Sequence, residues 1–391
     1  MRIGIDASCW WNRRGFGRFT RGLLRAMFAA SRGHRFCLFV DQPPEPEMTQ
    51  GDVRVVEVKT ARAVTKSAVA ADHRSLRDIL SFSRAVAREP LDLLFFPAVY
   101  SWFPVVGRLP TVVTLHDAIA EHFPDLIFAS WRERLFWSLK MRLAYRRAAG
   151  IITVSNAAKR EIVDYIGLNP QRIDVICEGV DACFHPVTAV ELRAAARRRA
   201  GIPADGRIVL YVGGIAPHKN LVNLLAGFAA IASDVPDLRL AIVGDPHGDG
   251  FLSNYQDMVM RAGSDASLSG RVHFTGFISD GDLAAVYSDA LALVFPSFSE
   301  GFGLPAVEAL TCGTPVLASQ ASAVAEVIGA AGLTFNPHRP NEIGQQIFRL
   351  ANEPTTLSTM RKKALERARH YTWSRAADLT LTSLERCASK L

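Results

Sequence analysis

Glu300 and Glu308 bracket the stretch GFGLPAV. Two carboxylates around a glycine-rich turn suit either paired acid and base chemistry or the recognition of neutral hydroxyls. The preceding LALVFPS, from Leu291, reads as a buried strand, and Gly301 to Gly303 as a turn. Pro305 suits the first turn of a helix, which Gly313 ends before the next strand, TPVLAS. The first amides of such a helix carry about half a positive charge and attract an anion. A diphosphate fits there. Carboxylates repel phosphate, so the glutamates suit hydroxyls on either side of it. A nucleotide-sugar carries such hydroxyls, which assigns the sugar to Glu300 and the ribose to Glu308. Two plainer readings compete. In one, Glu308 faces solvent and Glu300 only caps the helix. In the other, the glutamates are the acid and base of a hydrolase, which leaves the anion-favouring helix start unexplained.

Other segments extend this chemistry. YVGGIAPHKN, from Tyr211, is a strand followed by the turn Gly213 and Gly214 and then by Lys219, at a strand-to-helix junction where a lysine pairs a phosphate. Standing alone, Lys219 reads equally as a solvated residue. WWNRRGFGRFT, from Trp10, sets Gly15 and Gly17 before a helix. Its G-x-G ends in Thr20 where a dinucleotide fingerprint has a third glycine, and eight residues separate Gly15 from the strand end at Asp6. The tight turn of a dinucleotide-binding oxidoreductase is therefore excluded, whereas a loop offering bare amides to a phosphate is not. TVVTLHDAIAEHFP, from Thr111, ends a strand on His116 and Asp117. His116 is a catalytic candidate or a core histidine bonded to backbone; no second and third ligand at suitable spacing makes it a metal site.

The elements that must position these residues form an α/β pattern. Short Val-, Ile- and Leu-rich runs alternate with helix-length amphipathic stretches, as in parallel sheets covered by helices. Strands are expected at RIGID, RFCLFV, VRVVEV, LDLLFF, TVVTL, GIITV and RIDVI in the first half. The second half supplies RIVLYVG, LRLAIVG, RVHFTG, LALVFP and TPVLAS. Between the sets, CEGVDACFHPVTAVE loses the apolar pattern and reads as a linker. A length of 391 residues favours two domains over one core. The expected division is 1–186, 187–371 and a final helix at 372–391 that returns to the first domain. Ligands of doubly wound sheets sit beyond the carboxyl ends of the strands, where all the residues above fall.

Composition limits the function classes. A hydrophobic content of 49% with 21% charged residues is globular. The six cysteines are scattered without a C-x-x-C pair, so neither a zinc site nor a disulfide framework is indicated, and a reducing cytoplasm is expected. A strand at residues 2–6 leaves no room for a signal peptide, and no apolar run spans a bilayer. The net charge of +7 is uneven: residues 1–186 carry 26 basic and 19 acidic residues, and 187–391 carry 19 of each. The basic half suits an anionic partner such as a membrane surface; no nucleic-acid motif or aromatic single-strand platform accompanies it. SWRERLFWSLKMRLAYRRAAG, from Ser130, interleaves Trp131, Leu135, Phe136, Leu139 and Leu143 with arginines at helical spacing. This 130–150 segment is either a docking face for anionic lipid or an ordinary helix whose apolar side packs on the sheet.

Taken together, SEGFGLPAVEA, the following CGTPVLAS, the approach RVHFTGFISDGDLAAVYSDALALVFPS, the YVGG segment with Lys219, LHD, GFGRFT, the EGVD phrase and the close at Tyr371 to Trp373 carry a resemblance. In order and over nearly the full chain, they resemble retaining glycosyltransferases of family 4. The resemblance implies the GT-B fold, two Rossmann-like doubly wound domains facing across a cleft, the first on the acceptor side and the second binding the donor. It implies that Glu300, with the amides of Phe302 and Gly303, clamps the donor sugar, that Leu304 also belongs to the donor site and that Glu308 holds the ribose. Lys219, beside Gly213 and Gly214, is similar to the diphosphate lysine, and Gly15 and Gly17 to the loop that closes on the phosphates. His116 resembles the histidine beside the transferred sugar, and Phe277 and Ile278 fall where backbone holds the base.

The implied reaction is metal-independent hexosyl transfer from an NDP-sugar co-substrate, with no further cofactor, to a glycan or lipid-linked acceptor. The phrase IAPHKN resembles bacterial mannosyltransferases using GDP-mannose; a UDP-sugar is the alternative donor. The implied location is cytoplasmic, on the inner face of the membrane. A non-catalytic nucleotide-sugar binder and a GT-B epimerase are the competing classes. The sequence departs from the family pattern at Gly214 and His218, where an arginine commonly stands. Lys219 then carries the phosphate charge with less help unless Arg18 contributes.

Overall fold

The computed structural model describes residues 1–12, 15–60, 75–244 and 252–389. The chain divides into two compact units, Met1–Gly179 with Thr372–Leu391, and Val180–Tyr371. Residues 180–186, placed before the boundary on composition, belong to the second unit, where Phe184 packs edge-on to Tyr287 with ring centroids 6.1 Å apart.

The first unit is built on seven strands: β1 (Arg2–Asp6), β2 (Arg35–Val40), β3 (Val53–Glu57), β4 (Leu93–Phe96), β5 (Thr111–Leu115), β6 (Ala148–Thr153) and β7 (Ile173–Val175). They pair in parallel in the order β3-β2-β1-β4-β5-β6-β7. Alternate residues point to opposite faces, so Phe39, Leu94, Phe96, Val113, Leu115 and Ile151 form one core with Phe82, Trp137 and Met141 from the covering helices. Two helices matter below: α1 (Gly15–Ala30), which follows β1, and α2 (Trp131–Arg147), which precedes β6.

The second unit repeats the scheme with β8 (Arg207–Val212), β9 (Leu238–Val243), β10 (Val272–Gly276), β11 (Ala292–Phe295), β12 (Val316–Ser319) and β13 (Gly332–Phe335). Their parallel order is β10-β9-β8-β11-β12-β13. Ile208 and Leu210 face one core and Val209 and Tyr211 the other, so the sheet is buried on both sides. β13 was not among the expected strands: GLTF is short and mostly half-buried, without a continuous apolar signal. Three helices frame the site: α3 (Leu221–Ile231), α4 (Asp280–Asp289) and α5 (Leu304–Thr311).

The last helix, α6 (Trp373–Ala388), belongs to the first unit. It lies so close that a side chain at Gly22 would collide with the Trp373 ring, and one at Gly150 with Cys387 Sγ. Ser383 Oγ donates to Asp174 Oδ2 at 2.6 Å. In each sheet the strand order reverses once, between β1 and β4 and between β8 and β11. Such switch points open a crevice at the carboxyl ends of the strands. Among the described residues, no helix is long and apolar enough to cross a membrane.

Candidate active site

In the second unit the loops after β8 and β11, neighbours at the switch point, bring the candidate residues together. After β8 the chain turns through Gly213 and Gly214 into a short 3-10 turn, Pro217–Lys219. Tyr211 donates its hydroxyl to the Gly214 carbonyl at 2.5 Å, folding the turn back over the strand end. Asn220 then takes a left-handed conformation (φ 60°), which asparagine tolerates better than most residues. Its buried side-chain amide donates to Pro296 O at 3.0 Å and Pro337 O at 2.8 Å. Phe298 N donates to His218 O at 2.9 Å. Three bonds thus fasten the Lys219 loop to neighbouring strand ends.

The consequence is a short ion pair between residues 81 positions apart in sequence: Lys219 Nζ lies 2.6 Å from Glu300 Oε1. The two side chains are 20% and 10% exposed, so each charge is held largely away from water by the other. Burial pushes His218 down to about 4, with the Lys219 charge adding to the shift and Glu300 opposing it. His218 is therefore neutral at pH 7 and does not supply the positive charge that an arginine would bring there. The Tyr211 phenol is pushed well above its ordinary range by burial and then by the Glu300 charge.

Gly303 explains the glycine-rich turn. It precedes α5 in a left-handed conformation (φ 95°), and a Cβ there would stand 2.7 Å from Val324 Cγ2. Pro305 has no N–H to lose, as suits the start of α5. Phe302 and Leu304 are buried. Glu308, one turn into α5, is only 3% exposed and accepts the Tyr287 hydroxyl at 3.1 Å from α4. It does not face solvent. At the end of edge strand β10, Phe277 is 71% exposed and Ile278 is buried in the core.

The remaining candidates lie in the first unit. His116, at the end of β5, is buried, with Nε2 3.0 Å from the Pro97 carbonyl at the end of β4. A carbonyl only accepts, so Nε2 is the donor. The ring meets Phe19 of α1 edge-on at 4.6 Å. Nδ1 lies 3.5 Å from Glu178 Oε1, a carboxylate read from sequence only as part of the linker. Burial raises the Glu178 carboxyl above its ordinary range, and the hydrogen bond and charge of His116 pull it partly back. With Nε2 already donating, a proton must lie between Nδ1 and Glu178 for the two to attract. His116 is thus bonded to backbone, as the core reading expects, and also lies beside a buried acid.

Gly15 and Gly17 differ. A side chain at Gly15 would enter open space at the start of α1, whereas one at Gly17 would strike the Asn12 carbonyl. Packing therefore accounts for Gly17, and only Gly15 leaves room for a ligand to approach. Among the described residues, no group of three or more His, Cys, Asp or Glu side chains is gathered as metal ligands would be.

Comparison with known proteins adds two family matches. Residues 193–370 match the model for group 1 glycosyl transferases, and residues 13–183 the model for glycosyltransferase family 4. Among curated proteins, the chain is 33% identical over 287 residues to a D-inositol 3-phosphate glycosyltransferase of Mycobacterium bovis, covering 71% of this chain and 57% of that protein. It is 32% identical over 227 residues to the protein of that name from Streptomyces bingchenggensis, covering 56% and 49%. The chain thus spans about half the length of the curated relatives it matches. Among solved structures, a sucrose-phosphate synthase from Thermosynechococcus elongatus superposes with a TM-score of 0.75 at 21% identity, covering 99% of this chain and 98% of that one. Anabaena HepE in complex with UDP-glucose gives 0.75 at 19%, covering 98% and 99%. At these identities the likeness shows the GT-B fold.

Proposed function

Because the chain belongs to glycosyltransferase family 4, we propose that it is a retaining hexosyltransferase, moving a sugar from a nucleoside diphosphate to the hydroxyl of a glycan or lipid-linked acceptor. The observation that carries this reading is the Lys219–Glu300 pair, whose glutamate stands four residues before the start of α5. A cation and a helix N-terminus converge where a diphosphate needs both, and a carboxylate stands ready for a sugar hydroxyl. Without donor, lysine and glutamate satisfy each other. With donor, Lys219 and the N-terminus of α5 take the diphosphate, and Glu300, released, holds the sugar together with the amides of Phe302 and Gly303. Glu308, oriented by Tyr287, takes the ribose. Phe277 and Ile278 offer backbone to the base, and Gly213 and Gly214 let the donor approach the strand end.

Catalysis in this scheme stabilises the negative charge that grows on the leaving diphosphate. Lys219 and the α5 N-terminus supply that stabilisation in place, without reorganisation at the moment of reaction. The family resemblance makes His116 the candidate to assist catalysis and Gly15 a candidate to bind the phosphates, each tested by substitution. Transfer proceeds without a metal ion, so activity survives excess EDTA; its loss on chelation would count against this assignment.

GDP-mannose is the first donor to test, on the IAPHKN phrase, and UDP-glucose the second, since HepE has been solved with it. A thermal-shift series with GDP, UDP, ADP and their sugars selects the donor. Product analysis with and without acceptor then distinguishes transfer from a non-catalytic binder, which forms no product, and from an epimerase, which needs no acceptor. The proposed workplace is the cytoplasmic face of the membrane, where lipid-linked acceptors are found.

A further inference from the structure

The structure divides α2 into two unlike faces. Trp137, Met141, Ala144 and Tyr145 are buried against the first unit's sheet. Trp131, Leu135, Leu139 and Leu143, spaced four apart and so forming one stripe, are 70%, 61%, 57% and 45% exposed. The alternative in which the apolar residues named from sequence pack on the sheet therefore does not hold for this stripe. At about 100° per residue, Arg132, Arg142 and Arg146 emerge on the same side of the helix as the stripe. All three are exposed, and Arg132 lies over the Trp131 ring at 5.6 Å. The helix carries six basic residues against one acid, Glu133, which accepts from the Ala129 amide at the helix start.

From this geometry we infer that α2 is a membrane-docking helix, lying flat in the headgroup region of an anionic bilayer. Leucines and a tryptophan on one exposed face, with arginines among them, suit the headgroup level of a bilayer: the apolar groups enter the acyl boundary while the arginines snorkel to meet lipid phosphates. Charge complementarity selects anionic lipid as the occupant. The inference rests on the transferase reading in one respect only, that docking brings the enzyme to a lipid-linked acceptor. Vesicle binding itself needs neither donor nor acceptor.

The test is co-sedimentation of the full chain with phosphatidylcholine vesicles, with and without about 30% phosphatidylglycerol, at low and high salt. The intact protein should pellet with anionic vesicles at low salt and be released by salt. The triple variant Leu135→Gln/Leu139→Gln/Leu143→Gln should lose at least tenfold in binding. Arg132→Gln/Arg142→Gln/Arg146→Gln should lose about fivefold per charge removed. Because all six residues are exposed, both variants should keep the wild-type melting temperature and the donor-induced thermal shift. Failure of the intact protein to pellet would overturn the inference, as would unchanged binding by both variants. A leucine variant that turns a dimer into a monomer, without vesicle binding by the wild type, would assign the stripe to a second copy and also overturn it. Docking that persists in a protein with no donor shift would instead refute the transferase reading alone.

Discussion

Replacing Lys219 with alanine should damage activity and stability through different routes, and the structure separates them. The lysine is one preorganised donor at the proposed leaving group, and donors of that kind contribute about 3 kcal/mol to barrier lowering, so kcat at saturating donor should fall roughly a hundredfold. Stability falls for another reason: the Glu300 carboxylate, 10% exposed and 2.6 Å from its partner, loses its counter-charge. Breaking a fully buried pair costs about 3–5 kcal/mol and an exposed one less than about 1. A pair exposed by 10% and 20% lies between, at about 1–3 kcal/mol. Adding Glu300→Gln to Lys219→Ala removes the stranded charge and should recover more than half of that loss in urea unfolding, with no recovery of kcat. Near wild-type turnover in Lys219→Ala would refute the phosphate role. Strictly additive stability losses in the double-mutant cycle would refute the coupling.

Three further outcomes are expected. His218 is lowered from 6.5 to about 4 on folding, so the stability it contributes is intact above pH 6.5 and lost as pH falls toward 4. Melting temperature across that window should drop more steeply for the wild type than for His218→Asn, and parallel curves would contradict the burial argument. Glu178 should act as a positioning residue for His116: Glu178→Ala lowers kcat about tenfold with little change in donor KM, and Glu178→Gln, which still donates to Nδ1, largely restores it. Because folding raises its carboxyl, wild-type stability relative to Glu178→Gln should decline as pH rises above the usual carboxylate range. Gly17→Ala should destabilise the first unit by about 1–3 kcal/mol through its clash with the Asn12 carbonyl, while Gly15→Ala leaves the melting temperature unchanged and weakens the donor-induced shift.

What the sequence revealed follows from the range of the forces involved. Continuous apolar runs such as LALVFP and RIVLYVG are legible because a strand buried on both faces admits little else. GLTF of β13 escaped because a short, half-buried edge strand makes no such demand. Glu300 and Lys219 were visible through their places in the loops after strands, and Glu308 through its place one turn into the helix that follows. Glu178 was not, since its meaning comes from His116, brought near only when the first unit folds. Asn220 and Tyr287 are similar cases: each matters for what it holds, a strand-end carbonyl or a carboxylate, and neither partner is adjacent in sequence. The apolar residues of α2 were named correctly, but which side of the helix faces water is decided by the sheet beneath it.

The return of α6 to the first unit bears on how the protein is made. Residues 180–371 are all translated before Thr372–Ala388. At ~5–20 residues per second that interval is on the order of ten seconds or more. Meanwhile the nascent first unit bares the surfaces at Gly22 and Gly150 against which Trp373 and Cys387 will close. The usual vectorial order is inverted, the segment translated first being finished last. Chains stalled or clipped before Thr372 therefore present a fully translated second unit joined to an unsealed first one, the form that quality-control proteases would meet.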